Sequence, residues 1–124
     1  MKVKGALDPL ETIRFGRYEP MKKMFRAPNF DENKIRELNF EKNNHIEAPP
    51  QRALAMLPNL MHINLSHNEI VRFDAKCFTK GAPMLKTLNL SYNQIDVLED
   101  LVELGTLKKL EKIDFTNNPI AGSH

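Results

Sequence analysis

Apolar and polar positions along the chain recur in one pattern at a fixed interval. In LKTLNLSYNQI, which begins at Leu85, Leu88 and Leu90 lie two positions apart and Asn93 follows three positions later. A spacing of two is the period of a strand rather than of a helix, so this stretch predicts a short strand. Similar stretches begin at Ile35, Leu60 and Leu110, so the starts recur with a constant period of 25. The pattern therefore predicts a repeated unit with one strand in each copy.

The length of the period predicts the fold class. It falls within the range of about 20 to 29 residues that is typical of leucine-rich repeats. We therefore expect an α/β fold, a leucine-rich-repeat solenoid of about four coils over residues 35–124, with repeats starting at 35, 60, 85 and 110. Residues 1–34 are predicted to form an N-terminal helical cap, because the first coil would otherwise expose its apolar side.

Two short helices are expected in this cap. Asp8 and Pro9 suit the N-cap and the first helical position of one helix, and Ile13 falls on its apolar face. A second helix is expected to begin at Pro20 and to end at Pro28, because proline cannot continue a helix.

The repeats divide into packing residues, a turn and a return path. The inward-pointing pairs are predicted to be Leu38 with Phe40, Ile63 with Leu65, Leu88 with Leu90, and Ile113 with Phe115. An asparagine after each strand is expected to bond buried backbone groups, because its amide both donates and accepts. These residues form a predicted asparagine ladder, which consists of Asn43, Asn68, Asn93 and Asn118. The return paths are predicted to be short helices or irregular coil, with one helix after Pro50; in the first repeat, Ile46 comes one position late.

The residues that alternate with the packing residues form a candidate binding face on the other side of the sheet. We expect ligand contacts from six of them: His62, Asn64, His67, Lys86, Asn89 and Tyr92. His62 and His67 are five positions apart without nearby ligands at suitable spacing, which favours exposed polar residues over a zinc site.

Charge is distributed unevenly along the chain, with an excess of basic residues at the N-terminal end. The chain has a net charge of +2, but residues 1–28 alone carry seven basic and three acidic side chains, a balance of +4. This distribution points to an acidic partner, while the alternative is a solvated charged helix face. The basic residues proposed to contact such a partner are Arg14, Arg17, Lys22, Lys23 and Arg26.

Other classes of function find little support in the sequence. The chain contains no motif for nucleotide binding, no hydrolase elbow and no metalloprotease pair, so no enzyme and no cofactor are predicted. Cys77 is interpreted as a small buried hydrophobe, and Glu99, Asp100 and Glu103 as a solvated acidic helix face. No apolar run approaches the ~20 residues of a membrane span, and no secretory signal is visible. A single cysteine favours a reducing compartment, the cytosol or the nucleus.

Two stretches resemble a known family. FDAKCFTKGAPMLKTLNLSYNQI, followed by EDLVELGTLKKLEKIDFTNNPI, resembles the leucine-rich-repeat domain of the nuclear RNA export factors, and the likeness covers roughly residues 20 to 120. It implies an RNA- and adaptor-binding module of an mRNA export receptor. The implied partners are single-stranded RNA and export adaptor proteins, and the implied location is the nucleus, with possible shuttling to the cytoplasm.

A second resemblance keeps an alternative open. LPNLMHINLSHNEI is equally similar to the repeats of the acidic nuclear leucine-rich phosphoproteins and of the spliceosomal leucine-rich protein. That likeness implies a protein-protein interaction module of a nuclear or cytosolic protein, which binds a protein on its concave face and no RNA. Neither interpretation involves a membrane.

Overall fold

The fold is built on one parallel sheet whose strands follow the chain order. The computed structural model describes residues 12–14 and 28–122. Five strands of three residues each form the sheet in the order β1-β2-β3-β4-β5. They are β1 Thr12–Arg14, β2 Glu37–Asn39, β3 His62–Asn64, β4 Thr87–Asn89 and β5 Lys112–Asp114.

The register of the sheet reproduces the period seen in the sequence. Leu38 pairs with Ile63, Ile63 with Leu88 and Leu88 with Ile113, so each pair joins equivalent positions of two successive repeats. Because every coil advances by one strand, equivalent residues stack in columns across the sheet. The prediction of an α/β leucine-rich-repeat type of fold with parallel strands is confirmed.

Short helices form the return paths on the other side of the core. They are α1 Gln51–Ala55, α2 Lys76–Thr79, α3 Glu99–Val102 and α4 Pro119–Gly122, with 3-10 turns at Glu32–Lys34 and Glu103–Thr106. The predicted helix after Pro50 is confirmed; the extended backbone of this proline precedes the first helical residue. No helix in the described part of the chain is long and apolar enough to cross a membrane.

The core lies between the sheet and these helices. The predicted inward-pointing residues of β2, β3 and β4 and their neighbours are buried, and Ile113 and Phe115 are partly buried against the same core. Leu54 and Leu57 pack into it from the α1 side, and Cys77 is buried as predicted. Burying such residues, at about 25 cal/mol per Å² of apolar surface, is the main force that holds the coils together.

The asparagine ladder is confirmed at Asn68, Asn93 and Asn118 by their hydrogen bonds, while the place of Asn43 in it stays a prediction. The Asn93 side-chain oxygen accepts from the Ile70 N–H at 3.0 Å, and its amide nitrogen donates to the carbonyls of Leu65 and Leu90 at 3.0 Å each. Asn68 and Asn118 make the equivalent bonds one coil before and one coil after. Each of these three asparagines therefore joins the backbone of two adjacent coils.

One close approach between the helices depends on a glycine. A Cβ atom at Gly81 would lie 2.2 Å from the Cys77 carbonyl oxygen and 3.0 Å from that of Gln51. The absence of a side chain lets the turn after α2 pack directly against the start of α1.

The N-terminal part differs from the prediction. Residues 12–14 form strand β1, which pairs in parallel with β2, so the helix predicted across Ile13 is wrong there. The partner of Ile13 is Leu38, so this strand follows the same period as the others. The other residues of the predicted cap helices, Asp8, Pro9 and 20–27, lie outside the described residues. The coil count and the division into a cap and a repeat domain at residue 34 stay predictions.

Two further details depart from expectation. Ile46 is 67% exposed, and its inward place is taken by His45, whose ring meets the Phe40 ring edge-on at a centroid distance of 5.8 Å. Asp100 is buried rather than solvated, because it accepts two hydrogen bonds from the Arg72 guanidinium at 3.0 and 3.1 Å. The acidic run therefore includes one residue that joins two coils.

Candidate binding surface

The open face is the side of the sheet opposite the buried leucines, and it carries the strand residues that do not enter the core. One column on this face consists of Asn39, Asn64, Asn89 and Asp114. The Asn64 side-chain oxygen accepts from the Ser66 N–H at 2.9 Å and from its hydroxyl at 2.7 Å. Such a bond to the residue two positions on stabilises a turn. This turn takes the chain out of the strand.

The same turn recurs in the other coils. Asn89 accepts from the N–H and hydroxyl of Ser91 at 3.0 and 2.7 Å, and Asp114 accepts from those of Thr116 at 3.0 and 2.8 Å. The Thr116 backbone N–H, and then its hydroxyl, lower the pKa of Asp114 because they stabilise the carboxylate. The predicted binding residues Asn64 and Asn89 are thus part of the turn as well as of the surface.

A second column lies at the edge of the open face, one position before the ladder. Lys42, His67, Tyr92 and Asn117 have φ angles of 61°, 59°, 58° and 58°. Backbone angles in this left-handed region are uncommon for residues other than glycine. The fixed backbone places the His67 and Tyr92 rings in a stack, with centroids 4.3 Å apart and an interplanar angle of 10°. Tyr92 is 49% exposed, so the stack presents a flat aromatic surface to solvent.

The remaining predicted residues of β3 and β4 lie beside these columns. His62 Nδ1 is 2.7 Å from Thr87 Oγ1, across the strand pair in which these two residues are partners. Lys86 is half-buried, and its N–H donates to the Met61 carbonyl at 2.7 Å. The structure therefore brings together all six residues predicted on this face.

The predicted basic residues are placed only in part. Arg14 lies in β1 at the N-terminal edge of the sheet, in register with Asn39. Arg17, Lys22, Lys23 and Arg26 lie outside the described residues. Their role in binding stays a prediction.

The charge of the open face is close to balanced. The four strand-and-turn segments that form this face, 36–42, 61–67, 86–92 and 111–117, contain four basic and four acidic side chains, with histidine counted as neutral. They are Arg36, Lys42, Lys86 and Lys112 against Glu37, Glu41, Glu111 and Asp114. Such a surface offers hydrogen bonds and aromatic contact rather than strong attraction for a polyanion.

The described residues contain no group of three or more histidine, cysteine, aspartate or glutamate side chains placed to hold a metal ion. Burial, followed by the charge of Asp74, raises the pKa of the Cys77 thiol to about 12. A thiol protonated at neutral pH is a poor nucleophile, so Cys77 contributes packing rather than chemistry.

Sequence reasoning missed Lys42 as a member of the column that contains His67 and Tyr92. The common period of the repeats is the feature that identifies it. The Arg72–Asp100 ion pair was also not predicted from the sequence, because its two partners do not occupy equivalent positions of successive repeats.

The repeats match known families along most of their length. Residues 33–95 match the family described as "Leucine rich repeat", and residues 83–122 match "Leucine Rich repeats (2 copies)". Because the first match covers half of the chain, the protein belongs to the leucine-rich-repeat family.

Individual relatives match part of the chain. A histone of Tetrahymena thermophila is 35% identical over 68 residues, which make up 55% of this chain and 17% of the relative. Nuclear RNA export factor 2 of Homo sapiens is 39% identical over 69 residues, 53% of this chain and 10% of the relative. The chain thus spans less than a fifth of the length of these relatives.

A solved structure has the same fold. A chain of the Drosophila melanogaster SNF/U2A′ complex superposes with a TM-score of 0.68 over 93% of this chain and 64% of that chain, at 22% identity. At this identity the likeness shows the fold alone. The fold and the family define a leucine-rich-repeat module of the protein-interaction type, a class that typically binds other molecules rather than catalysing reactions.

Proposed function

We propose that this chain is the leucine-rich-repeat module of a nuclear mRNA export receptor, and that its open face binds an export adaptor protein. The observation that carries the adaptor part is the exposed stack of His67 and Tyr92, with ring centroids 4.3 Å apart. Exposed aromatic side chains next to polar groups are typical anchors of protein interfaces. The nearly balanced charge of the open face suits a protein surface better than a phosphate backbone.

The export part of the proposal is supported by relatedness. Human nuclear RNA export factor 2 is 39% identical over 53% of this chain. The same family is indicated by the turns and strands of residues 73–95 and 99–120. The nuclear location and any shuttling to the cytoplasm belong to this proposal.

Site-specific photo-crosslinking tests the adaptor contact. A photoreactive benzoyl-phenylalanine replaces Tyr92, where the ring of the native residue is already tolerated, and the protein is irradiated in nuclear extract. The matched control carries the same group at Lys108, which is exposed outside the open face. We expect a defined protein to be crosslinked from position 92 and not from position 108, also when the extract is treated with ribonuclease before irradiation.

Two outcomes contradict the proposal. Identical products from positions 92 and 108 place the contact outside the open face. Failure to form the product when ribonuclease is added before irradiation means that RNA, rather than the open face, bridges the two proteins.

A second candidate function is direct binding of single-stranded RNA by the basic N-terminal segment. It is favoured by the balance of +4 in residues 1–28. Each phosphate that a lysine or arginine neutralises releases counterions, so affinity falls with salt by a slope of about 0.7 per contact for single strands. In this case the segment, rather than the open face, supplies most of the affinity.

A titration of labelled single-stranded RNA at two salt concentrations tests this second candidate. Reversal of Lys22, Lys23 and Arg26 to glutamate is expected to weaken binding and to flatten the salt dependence. The matched control reverses Lys80, Lys108 and Lys109, three exposed lysines at other positions. Tyr92→Asn removes a stacking ring and keeps a residue type that the chain already uses at this backbone angle in Asn117.

The results separate the two ligands. Equal losses in both charge-reversed triple variants indicate nonspecific attraction, and no binding by the parent protein at low salt rules out RNA for this chain. If only Tyr92→Asn weakens RNA binding, and the salt dependence is unchanged, RNA contacts the open face rather than the basic segment.

A further inference from the structure

A groove lies away from the open face, where three consecutive coils leave the turn and enter helices α1, α2 and α3. Its volume is about 960 Å³, at the upper end of the range of about 300–1,000 Å³ for ligand clefts. Pro49, Phe73, Ala75 and Cys77 line it and are largely buried, so they form an apolar floor. None of the described residues proposed for adaptor or RNA binding lines this groove.

The walls of the groove are acidic. Among the described residues that line it are five carboxylates and one guanidinium. The guanidinium belongs to Arg72, which already binds both oxygens of Asp100. Because carboxylates outnumber the guanidinium, the lining carries a net negative charge, to which Asp74, Glu99 and Glu103 contribute.

Some of the exposed apolar side chains are sequence neighbours of groove residues. Seven large apolar side chains are exposed among the described residues. Ile46 is 67% exposed and Val102 is 64% exposed. Four of the seven, Ile46, Val71, Leu98 and Val102, directly precede the groove residues Glu47, Arg72, Glu99 and Glu103. The segments that line the groove therefore also expose apolar side chains.

We propose that this groove is a second interaction surface, which binds a protein segment that carries both basic and aliphatic side chains. Basic side chains complement Asp74, Glu99 and Glu103, and aliphatic side chains pack against the apolar floor. Anionic ligands such as nucleic acid or an acidic membrane are repelled by the same carboxylates. A polypeptide segment carries basic and aliphatic side chains together, which a small cation does not.

Fluorescence anisotropy with a defined probe tests the proposal. The probe is a labelled peptide of four Gly-Arg-Leu triplets, and the control probe has glutamate in place of arginine. The double variant Glu99→Lys with Glu103→Lys is expected to weaken binding of the basic peptide by about tenfold at low salt. The matched double variant Glu69→Lys with Glu111→Lys makes the same charge change at exposed residues outside the groove, and we expect less than about a twofold loss.

The same assay tests the exposed apolar residues beside the groove and the separation of the groove from the open face. The double variant Leu98→Asn with Val102→Asn is expected to weaken binding of the basic peptide by about threefold or more. Both side chains are exposed, and their loss removes apolar contact with the peptide. Tyr92→Asn is expected to leave peptide binding unchanged, since Tyr92 is not among the groove residues. Circular dichroism melts check that each variant is folded.

Four results overturn the proposal. They are no binding of the basic peptide to the parent protein at low salt, equal binding of the two probes, equal losses in the two charge-reversed pairs, and a loss with Tyr92→Asn. A fifth identifies a different occupant: tighter peptide binding after reversal of Lys22, Lys23 and Arg26 means that the chain's own basic segment competes for the groove.

Discussion

The coil that begins at Leu85 and the coil that begins at Leu110 share one sequence pattern but differ in burial. In the first, Leu88 is 1% exposed, whereas its equivalent Ile113 is only half-buried. Strand β4 pairs with β3 on one side and β5 on the other, while β5 pairs only with β4 among the described residues. Similar sequences thus acquire unequal burial, because in a solenoid each coil is covered by its neighbours.

The largest expected loss of stability comes from the ladder asparagines of the two coils. Asn93→Leu leaves buried backbone groups of two coils without partners, at a cost of about 1–3 kcal/mol for each such group. Asn118→Leu is expected to cost less, because its bond to the Phe115 carbonyl is only partly buried and water can replace it. Urea denaturation followed by circular dichroism measures both. Gln94→Leu, at the exposed neighbour, is the control; a greater loss there than at Asn93 contradicts the ladder.

The apolar side of the comparison comes next. Leu88→Ala is expected to reduce the free energy of unfolding by about 2–5 kcal/mol, through lost burial and a residual cavity. The loss for Ile113→Ala is expected to stay below about 2 kcal/mol, since solvent already reaches part of this side chain. Both values come from the same denaturation experiment. A loss at Leu88 below that at Ile113 contradicts the assignment of Leu88 to an interior coil.

Two glycines on the helical side of the molecule differ in the space around them, and alanine substitutions compare the packing there. Gly81→Ala places a Cβ atom 2.2 Å from a backbone oxygen, and such overpacking costs about 1–3 kcal/mol. Gly105→Ala meets nothing within 4 Å, so we expect no loss, or a gain of about 0.4–1 kcal/mol from a less flexible unfolded chain. Melting temperatures of the two variants report the difference. Equal changes at both sites mean that the helices are not held at the observed separation.

The smallest effect concerns pH at the position where the asparagine column ends in Asp114. The pKa of Asp114 is lowered in the fold, so its contribution to stability is present above its unfolded pKa of about 3.9 and is lost as the pH falls through the folded value. Asp114→Asn resembles Asn89 in the preceding coil and does not titrate. We expect the parent protein to lose stability relative to this variant below about pH 4. Melts at a series of pH values measure the difference, and a constant difference contradicts the prediction.

The sequence predicted what the period of the repeats controls. Four strands, the ladder and the side of the sheet on which Tyr92 lies all follow from residue type at a fixed interval. Strand β1 was missed although Ile13 lies exactly one period before Leu38, because Tyr18 stands where the ladder asparagine is expected. The Asp8–Pro9 pair also favours a helix start, and this local pattern outweighed the weaker repeat.

Features that depend on contacts between coils could not be predicted from the pattern. Asp100 has the sequence surroundings of a solvated acidic helix, and only the position of Arg72 on the previous coil shows why it is buried. The groove has the same origin, since its walls come from three coils whose loops share no motif. The stack of His67 on Tyr92 required both the register and the left-handed backbone.

The left-handed column of Lys42, His67, Tyr92 and Asn117 also sets rules for redesign of the binding surface. Four side chains can be exchanged one per coil, each at a known distance along the solenoid, without touching the core. The choice of residues is restricted: glycine, asparagine, aspartate and histidine tolerate this backbone best, lysine and tyrosine already occupy it at positions 42 and 92, and valine, isoleucine and threonine are disfavoured by their branched Cβ. A combinatorial library confined to these four positions would therefore vary recognition while preserving the scaffold.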